Sequence, residues 1–168
     1  LLQGWEGVVE SAGSWAGERC GAPVVVMGVN HGSWMVLDAM LAGFTPAAAV
    51  LDPGVVDLHQ DQQGVVGDPI GSAKLLMATG CQDLGAALTV MEDYRLAPED
   101  LAGVRTPTFV ADAESAVSFA GQAAVVADHL GGEVHRRRFS DAEGAGLDCE
   151  IAAPQVRNAA VYDWLAAT

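Results

Sequence analysis

The hydrophobic positions of this chain change their period several times, and each change marks a predicted element. Leu2, Trp5, Val8, Val9, Ala12 and Ala16 share one side of a 3.6-residue repeat, so the opening segment reads as an amphipathic helix. Gly17 to Pro23 breaks it. Val24–Met27 is apolar without alternation, the pattern of a parallel strand buried on both faces. Gly28-Val29-Asn30-His31-Gly32 follows as a turn and passes into a helix reaching about Leu41. That helix is apolar nearly all round (Trp34, Met35, Val36, Leu37, Met40, Leu41), as a central, covered helix requires.

After the turn at Gly43–Pro46, Ala47–Leu51 reads as a second strand, ended by Asp52-Pro53-Gly54. Val55 to about Gly71 is rich in Gly, Gln and Asp and reads as a loop, with helices over Ala73–Met77 and Leu84–Tyr94. Residues 55–105 thus form a long excursion between strands, suited to a lid or cap or to a plain surface insertion. Thr106–Ala111 is a third strand, Ser115–Leu130 a helix, and Glu133–Phe139 a fourth strand. Its Arg136-Arg137-Arg138 run suits an exposed sheet edge, where positive charge discourages pairing with other chains; a phosphate- or carboxylate-binding patch is the sharper alternative. Ser140–Pro154 reads as loop and Gln155–Ala167 as a closing helix. Strands alternating with helices predict one α/β domain over 1–168, a parallel sheet of about four strands flanked by helices.

Length and composition agree: 168 residues, 51% of them hydrophobic, are enough for one sizeable core. A net charge of −14 argues against nucleic acid and anionic membrane surfaces as partners. Cys20, Cys81 and Cys149 are odd in number and widely spaced, which suggests reduced thiols in a cytoplasmic protein. No apolar run reaches the roughly 18 residues of a spanning helix, and no basic-then-apolar leader opens the chain. It opens without Met and inside a predicted helix, so a fragment is an open reading.

The chemistry concentrates at Gly28–Gly32. A strand, a Gly-x-Asn-x-Gly turn and a helix form the context of a nucleophile elbow, in which a strained turn presents one side chain. Both glycines are expected to allow close backbone approach. The presented residue is Asn30, whose amide nitrogen is delocalised into its carbonyl and cannot be activated as a hydroxyl can.

These stretches resemble the C-terminal half of an α/β-hydrolase, most of all the esterase- and dipeptidyl-aminopeptidase-like branch related to the fermentation/respiration-switch hydrolases. The resemblance rests on Gly28–Gly32, on Ala49 through Asp57, on Glu114 through Gln122, and on Phe139 through Cys149 followed by Asp163-Trp164-Leu165. It implies a Ser-acid-His triad whose positions are occupied here by Asn30, Ala116 and Asp148, all three substituted. It implies the His31 backbone N–H as one oxyanion donor, with the second on an upstream loop. It also implies that the four strands are the last of eight, so the first has a bare edge and part of one sheet face is apolar and uncovered.

Other residues carry weaker alternatives. His31 could stand in as a base, although its side chain should point away from the reacting atom. Asp148 with Asp141 and Glu143 could hold a metal; solvated loop carboxylates are the plainer reading. Cys149 is expected to pack as a small apolar group rather than act as a nucleophile. Glu114 could be a displaced acid, and His59, His129 and His135 are expected to be solvated. No cofactor and no metal are expected. The implied function is a hydrolase-family protein with a defective or truncated active site, which could bind a small acyl or ester-like ligand and, through its sheet edge, a copy of itself or a complementing chain. An active esterase, peptidase or C–C hydrolase using unusual residues is the alternative.

Overall fold

The computed structural model describes residues 5–62 and 67–168; Leu2 and part of the predicted 55–71 loop lie outside them. The elements run α1 (Trp5–Cys20), β1 (Val25–Val29), α2 (His31–Leu41), β2 (Ala48–Asp52), α3 (Leu58–Gln62), α4 (Pro69–Thr79) and α5 (Leu84–Met91). They continue with β3 (Thr108–Ala113), α6 (Gln122–His129), β4 (Val134–Phe139) and α7 (Pro154–Ala167). All pairings within the sheet are parallel, in the spatial order β1-β2-β3-β4. Parallel neighbours need crossovers, and helices supply them here.

The pleat divides the core. Ala49, Leu51 and Val110 meet Val36, Leu37 and Met40 of α2 and Ala123 and Val126 of α6. Ala48, Val50, Phe109 and Ala111 point the other way, onto Val161 and Trp164 of α7. Every residue of β2 is buried, which explains its unbroken apolar reading.

β1 departs from its expected burial. It pairs Val25 with Ala48 and Met27 with Val50, which puts Val25, Met27 and Val29 on the α7 side of the sheet. These three remain 43%, 41% and 42% exposed. The cause is position: β1 is an edge strand, and α7 covers its neighbours instead. Val8 and Ala12 on the predicted stripe of α1 are exposed as well. Together with Val9, Ala16, Val25 and Met27 they line an open apolar groove of about 420 Å³.

The predicted 55–71 loop contains α3 and the start of α4. Asp57 accepts the Gln60 N–H at 2.9 Å at the head of α3, and Asp68 accepts from Ile70 and Gly71 at 3.1 and 3.0 Å at the head of α4. Such side-chain caps start a helix where composition reads as loop. Val55, Leu58, Leu75, Ala87, Met91 and Tyr94 of this excursion close over Trp34 and Phe119. Conversely, the helix predicted from Ser115 begins only at Gln122, because Phe119 and Gly121 adopt left-handed φ of 56° and 82°. The 140–154 loop holds two short 3₁₀ turns, the first closed by a Ser140–Glu143 capping box.

Candidate active site

β1 ends at Val29, α2 starts at His31, and Asn30 between them has φ 57° and ψ −126°. A non-glycine residue in that region is strained and persists only where its surroundings hold it. The Asn30 N–H donates to Asp52 O at 2.7 Å. Ser33, fully buried, donates through Oγ to Gly28 O at 2.8 Å and accepts the Asp52 N–H at 3.0 Å. The turn is thereby tied to the end of β2. A Cβ on Gly28 would lie 2.5 Å from Gly32 O and 2.6 Å from Ser33 Cα. Gly32 itself has open space where a Cβ would go, so only the first of the two glycines is required by close approach.

The Asn30 side chain is engaged. Its Oδ1 accepts the His31 N–H at 2.9 Å and contacts His31 Nδ1, while Nδ2 points at Cys149 Sγ at 4.0 Å. The backbone donor implied for an oxyanion is therefore turned onto Asn30's own amide. The His31 ring, expected to point away, stands beside Asn30 and edge-on to Phe119 at 5.5 Å and 84°.

Ala116 lies in the turn after β3, and Asp148 in the loop after β4. Asp148 Oδ1 accepts the N–H groups of Val117 and Ser118 at 3.0 and 3.3 Å. Its carboxylate thus binds the turn holding Ala116, and its neighbour Cys149 touches both Asn30 and Asp52 O, the latter at 3.5 Å. The end of β2 and the segments that follow β1, β3 and β4 touch at this point.

The other candidates have structural roles. Glu114 accepts the Asp141 N–H at 2.9 Å, Asp141 accepts from Ser115 Oγ at 2.7 Å, and Glu143 caps Ser140. Among the described residues no group of three or more His, Cys, Asp or Glu could hold a metal. His59 is buried rather than solvated and contacts Arg95 Nη2. His135 stacks on Phe109 at 5.2 Å, and His129 is exposed. Arg136 and Arg137 pair with Asp112 and Glu143 at 2.6 and 3.1 Å, so both basic groups have partners within the chain.

Three residues at this junction escape a reading of the sequence. Glu150 is fully buried, and Asp52 is 1% exposed and bound by Arg157 Nη1 at 2.6 Å. Burial, then the Asp52 charge, pushes the Glu150 carboxyl up to about 9. Burial also raises Asp52, with Arg157 opposing. Cys149 rises to about 11 through burial and the same Asp52 charge, so it stays a thiol at neutral pH. Gln122 was signalled only as part of a motif; its Oε1 accepts both the Val56 and Asp57 N–H at 2.8 Å, fixing the start of the excursion to α6.

No family model and no curated protein sequence matches the chain. Solved structures do. An esterase, RhEst1 from Rhodococcus sp. ECU1013, superposes with a TM-score of 0.63 at 16% identity, over 98% of this chain and 72% of the other. The fold is that of the α/β-hydrolases. A serine hydrolase involved in carbazole degradation, the CarC enzyme, gives a TM-score of 0.57 at 15% identity over 88% of this chain and 65% of its own. Naproxen esterase from Bacillus subtilis gives 0.56 at 13% identity over 85% and 60%. At these identities the α/β-hydrolase likeness concerns the fold alone. Among the described residues no helix is long and apolar enough to cross a membrane.

Proposed function

We propose that this chain is an α/β-hydrolase relative of the esterase-like type whose own elbow does not perform acyl transfer, and that it uses the inherited site to bind a small acyl or ester-like ligand. The observation that carries this reading is the state of Asn30. The elbow presents an amide that cannot act as a nucleophile, and that amide occupies the one local backbone donor. The substitution of Ala116 and Asp148 at the acid- and His-equivalent positions supports it, since Asp148 is committed to the Val117 and Ser118 amides. The kinship to the fermentation/respiration-switch branch belongs to the same proposal, as does a cap role for residues 55–105, which close over Trp34 beside the elbow.

The test is treatment with p-nitrophenyl esters and a fluorophosphonate probe. The reading predicts no turnover and no covalent label, and a labelled residue anywhere in the chain would refute it. Reverting Asn30→Ser, Ala116→Asp and Asp148→His together is expected to restore labelling if the scaffold is otherwise competent.

The free edge of β1 favours a second component. Among the described residues no strand pairs with its outer side, and Val25, Met27 and Val29 leave apolar surface open beside it. A complementing polypeptide that adds an extended segment there is the partner we propose, supplying the upstream oxyanion donor as well. Mass measurement in solution separates this from self-association, since a lone chain that dimerises through β1 would lose the dimer on Met27→Lys.

A further inference from the structure

Beneath the loop that carries Asp148 lies a set of charges for which the elbow has no use. Glu150 is fully buried, and with both acids ionised neither of its oxygens nor Asp52 Oδ1 has a donor. Asp52 Oδ2 is held by Arg157 Nη1, which also donates to Cys149 O at 3.2 Å, so one guanidinium ties Asp52 to the turn that carries Glu150 and serves two neighbouring buried carboxyls. Asp112 of β3 adds negative charge to the surroundings, partly answered by Arg136 at 2.6 Å. Cys149 and Asp148 are the ionisable groups next to Glu150 on the loop, and Asp148 is occupied by backbone amides; Asp141 and Glu143, farther along it, are exposed and bonded to Ser115 and Ser140. Two carboxylates this close and this dry retain a proton between them. A proton on Glu150 supplies the hydrogen that Asp52 Oδ1 lacks.

The backbone here needs holding. Cys149 and Glu150 both have left-handed φ, 53° and 47°, which side chains adopt when surrounding contacts impose it. Those contacts are Arg157 Nη1 donating to Cys149 O at 3.2 Å, the Ala153 N–H donating to Glu150 O at 2.9 Å, and the acid pair itself.

We propose that Glu150 and Asp52 share one proton, and that this proton is the latch holding the Asp148–Cys149 loop closed over Asn30. Its loss sets two negative charges against the single Arg157, and the left-handed turn at 149–150 relaxes outward. Asp148 then leaves the Val117 and Ser118 amides, and Cys149 leaves Asn30. The elbow is covered in acid and neutral solution and uncovered in alkali. Glu150, buried beyond reach of any ligand, acts as a positioning residue, and the latch does not depend on whether the elbow is catalytic.

The experiment is a carbon-13 NMR titration of the full chain. It follows the Glu150 carboxyl carbon, assigned by comparison with Glu150→Gln, and the methyl groups of the buried Ala145 and Ala153. The Glu150 carbon is expected to titrate well above the ordinary glutamate value of about 4.3. The two methyls should move over the same interval. In Glu150→Gln, whose amide donates to Asp52 without titrating, they should stay still. A Glu150 carbon that titrates in the ordinary range overturns the proposal, as do methyl shifts that persist in Glu150→Gln. Asp52→Asn removes the facing charge and should lower the Glu150 midpoint by at least about one pH unit; an unchanged midpoint rules out the shared proton. Should Glu150→Gln fail to fold, through-bond correlation from the Glu150 backbone assigns the carbon instead, and the wild-type and Asp52→Asn titrations decide alone.

Discussion

Arg157 Nη1 donates to Asp52 Oδ2 at 2.6 Å across 105 residues of sequence, joining the last helix to the end of the central strand. The carboxylate is 1% exposed and the guanidinium side chain 13%, so water does little to replace either partner. Removing one member of such a pair strands a buried charge and costs about 3–5 kcal/mol. Arg157→Ala is therefore expected to lower the urea midpoint sharply, and to do so more at pH 8 than at pH 5, since burial raises the Asp52 pKa and loss of the opposing guanidinium makes its charged form costlier as pH rises. Equal losses at both pH values would mean that packing, not charge, holds α7 in place.

The two elbow glycines should respond differently to the same change. Gly28→Ala drives a methyl group into the backbone of Gly32 and Ser33, neither of which is free to move while Ser33 Oγ bridges Gly28 O and the Asp52 N–H. Overpacking of this kind costs about 1–3 kcal/mol. Gly32→Ala meets open space inside α2 and should gain up to about 1 kcal/mol of helix propensity. Thermal unfolding of the two variants gives opposite shifts in Tm.

Asn30 holds a strained φ/ψ pair between β1 and α2. Strain of this type is worth about 1–3 kcal/mol, whereas replacing an Asn cap by Gly loses only about a few tenths. Asn30→Gly is thus expected to raise Tm by about 2–4 °C for each net kcal/mol released. A lower Tm would show that the contacts of the amide with His31 and Cys149 outweigh the backbone cost.

Stability should fall towards alkali. Glu150 has an ordinary value of 4.5 and about 9 in the fold, so its contribution is complete below pH 4.5 and is lost as pH rises through 9. Cys149, raised from 9.0 to about 11, adds a further loss above pH 9. Glu143 works in the opposite sense: its backbone and side-chain bonds to Ser140 lower its pKa, so its contribution is present above 4.5 and lost as pH falls. Urea midpoints between pH 5 and 10 should decline, and Glu150→Gln should flatten the slope.

Local periodicity was enough to read the four parallel strands and the closing helix, because each is encoded in neighbouring residues. What depends on distant partners was not legible. The apolar run of β1 looks buried, yet Val25 and Met27 are exposed because burial depends on what lies beside a strand. The delayed start of α6 reflects Asp148, far along the chain, holding the Val117 and Ser118 amides outside the helix. Asp57 and Asp68 were counted as loop residues although they cap helices, since capping and loop composition use the same side chains. At the candidate site the elbow was visible as a motif, whereas Asp52, Glu150 and Arg157 come together only in three dimensions.

The half-open face of β1 sets how this molecule behaves in concentrated solution. A net charge of −14 keeps copies apart at low ionic strength, but at 0.15 M salt the Debye length shrinks to about 8 Å. The charge then no longer outranges the short-range attraction between bare Val25, Met27 and Val29 side chains. Self-association is therefore expected to grow as salt is added, and light scattering across a salt series checks it.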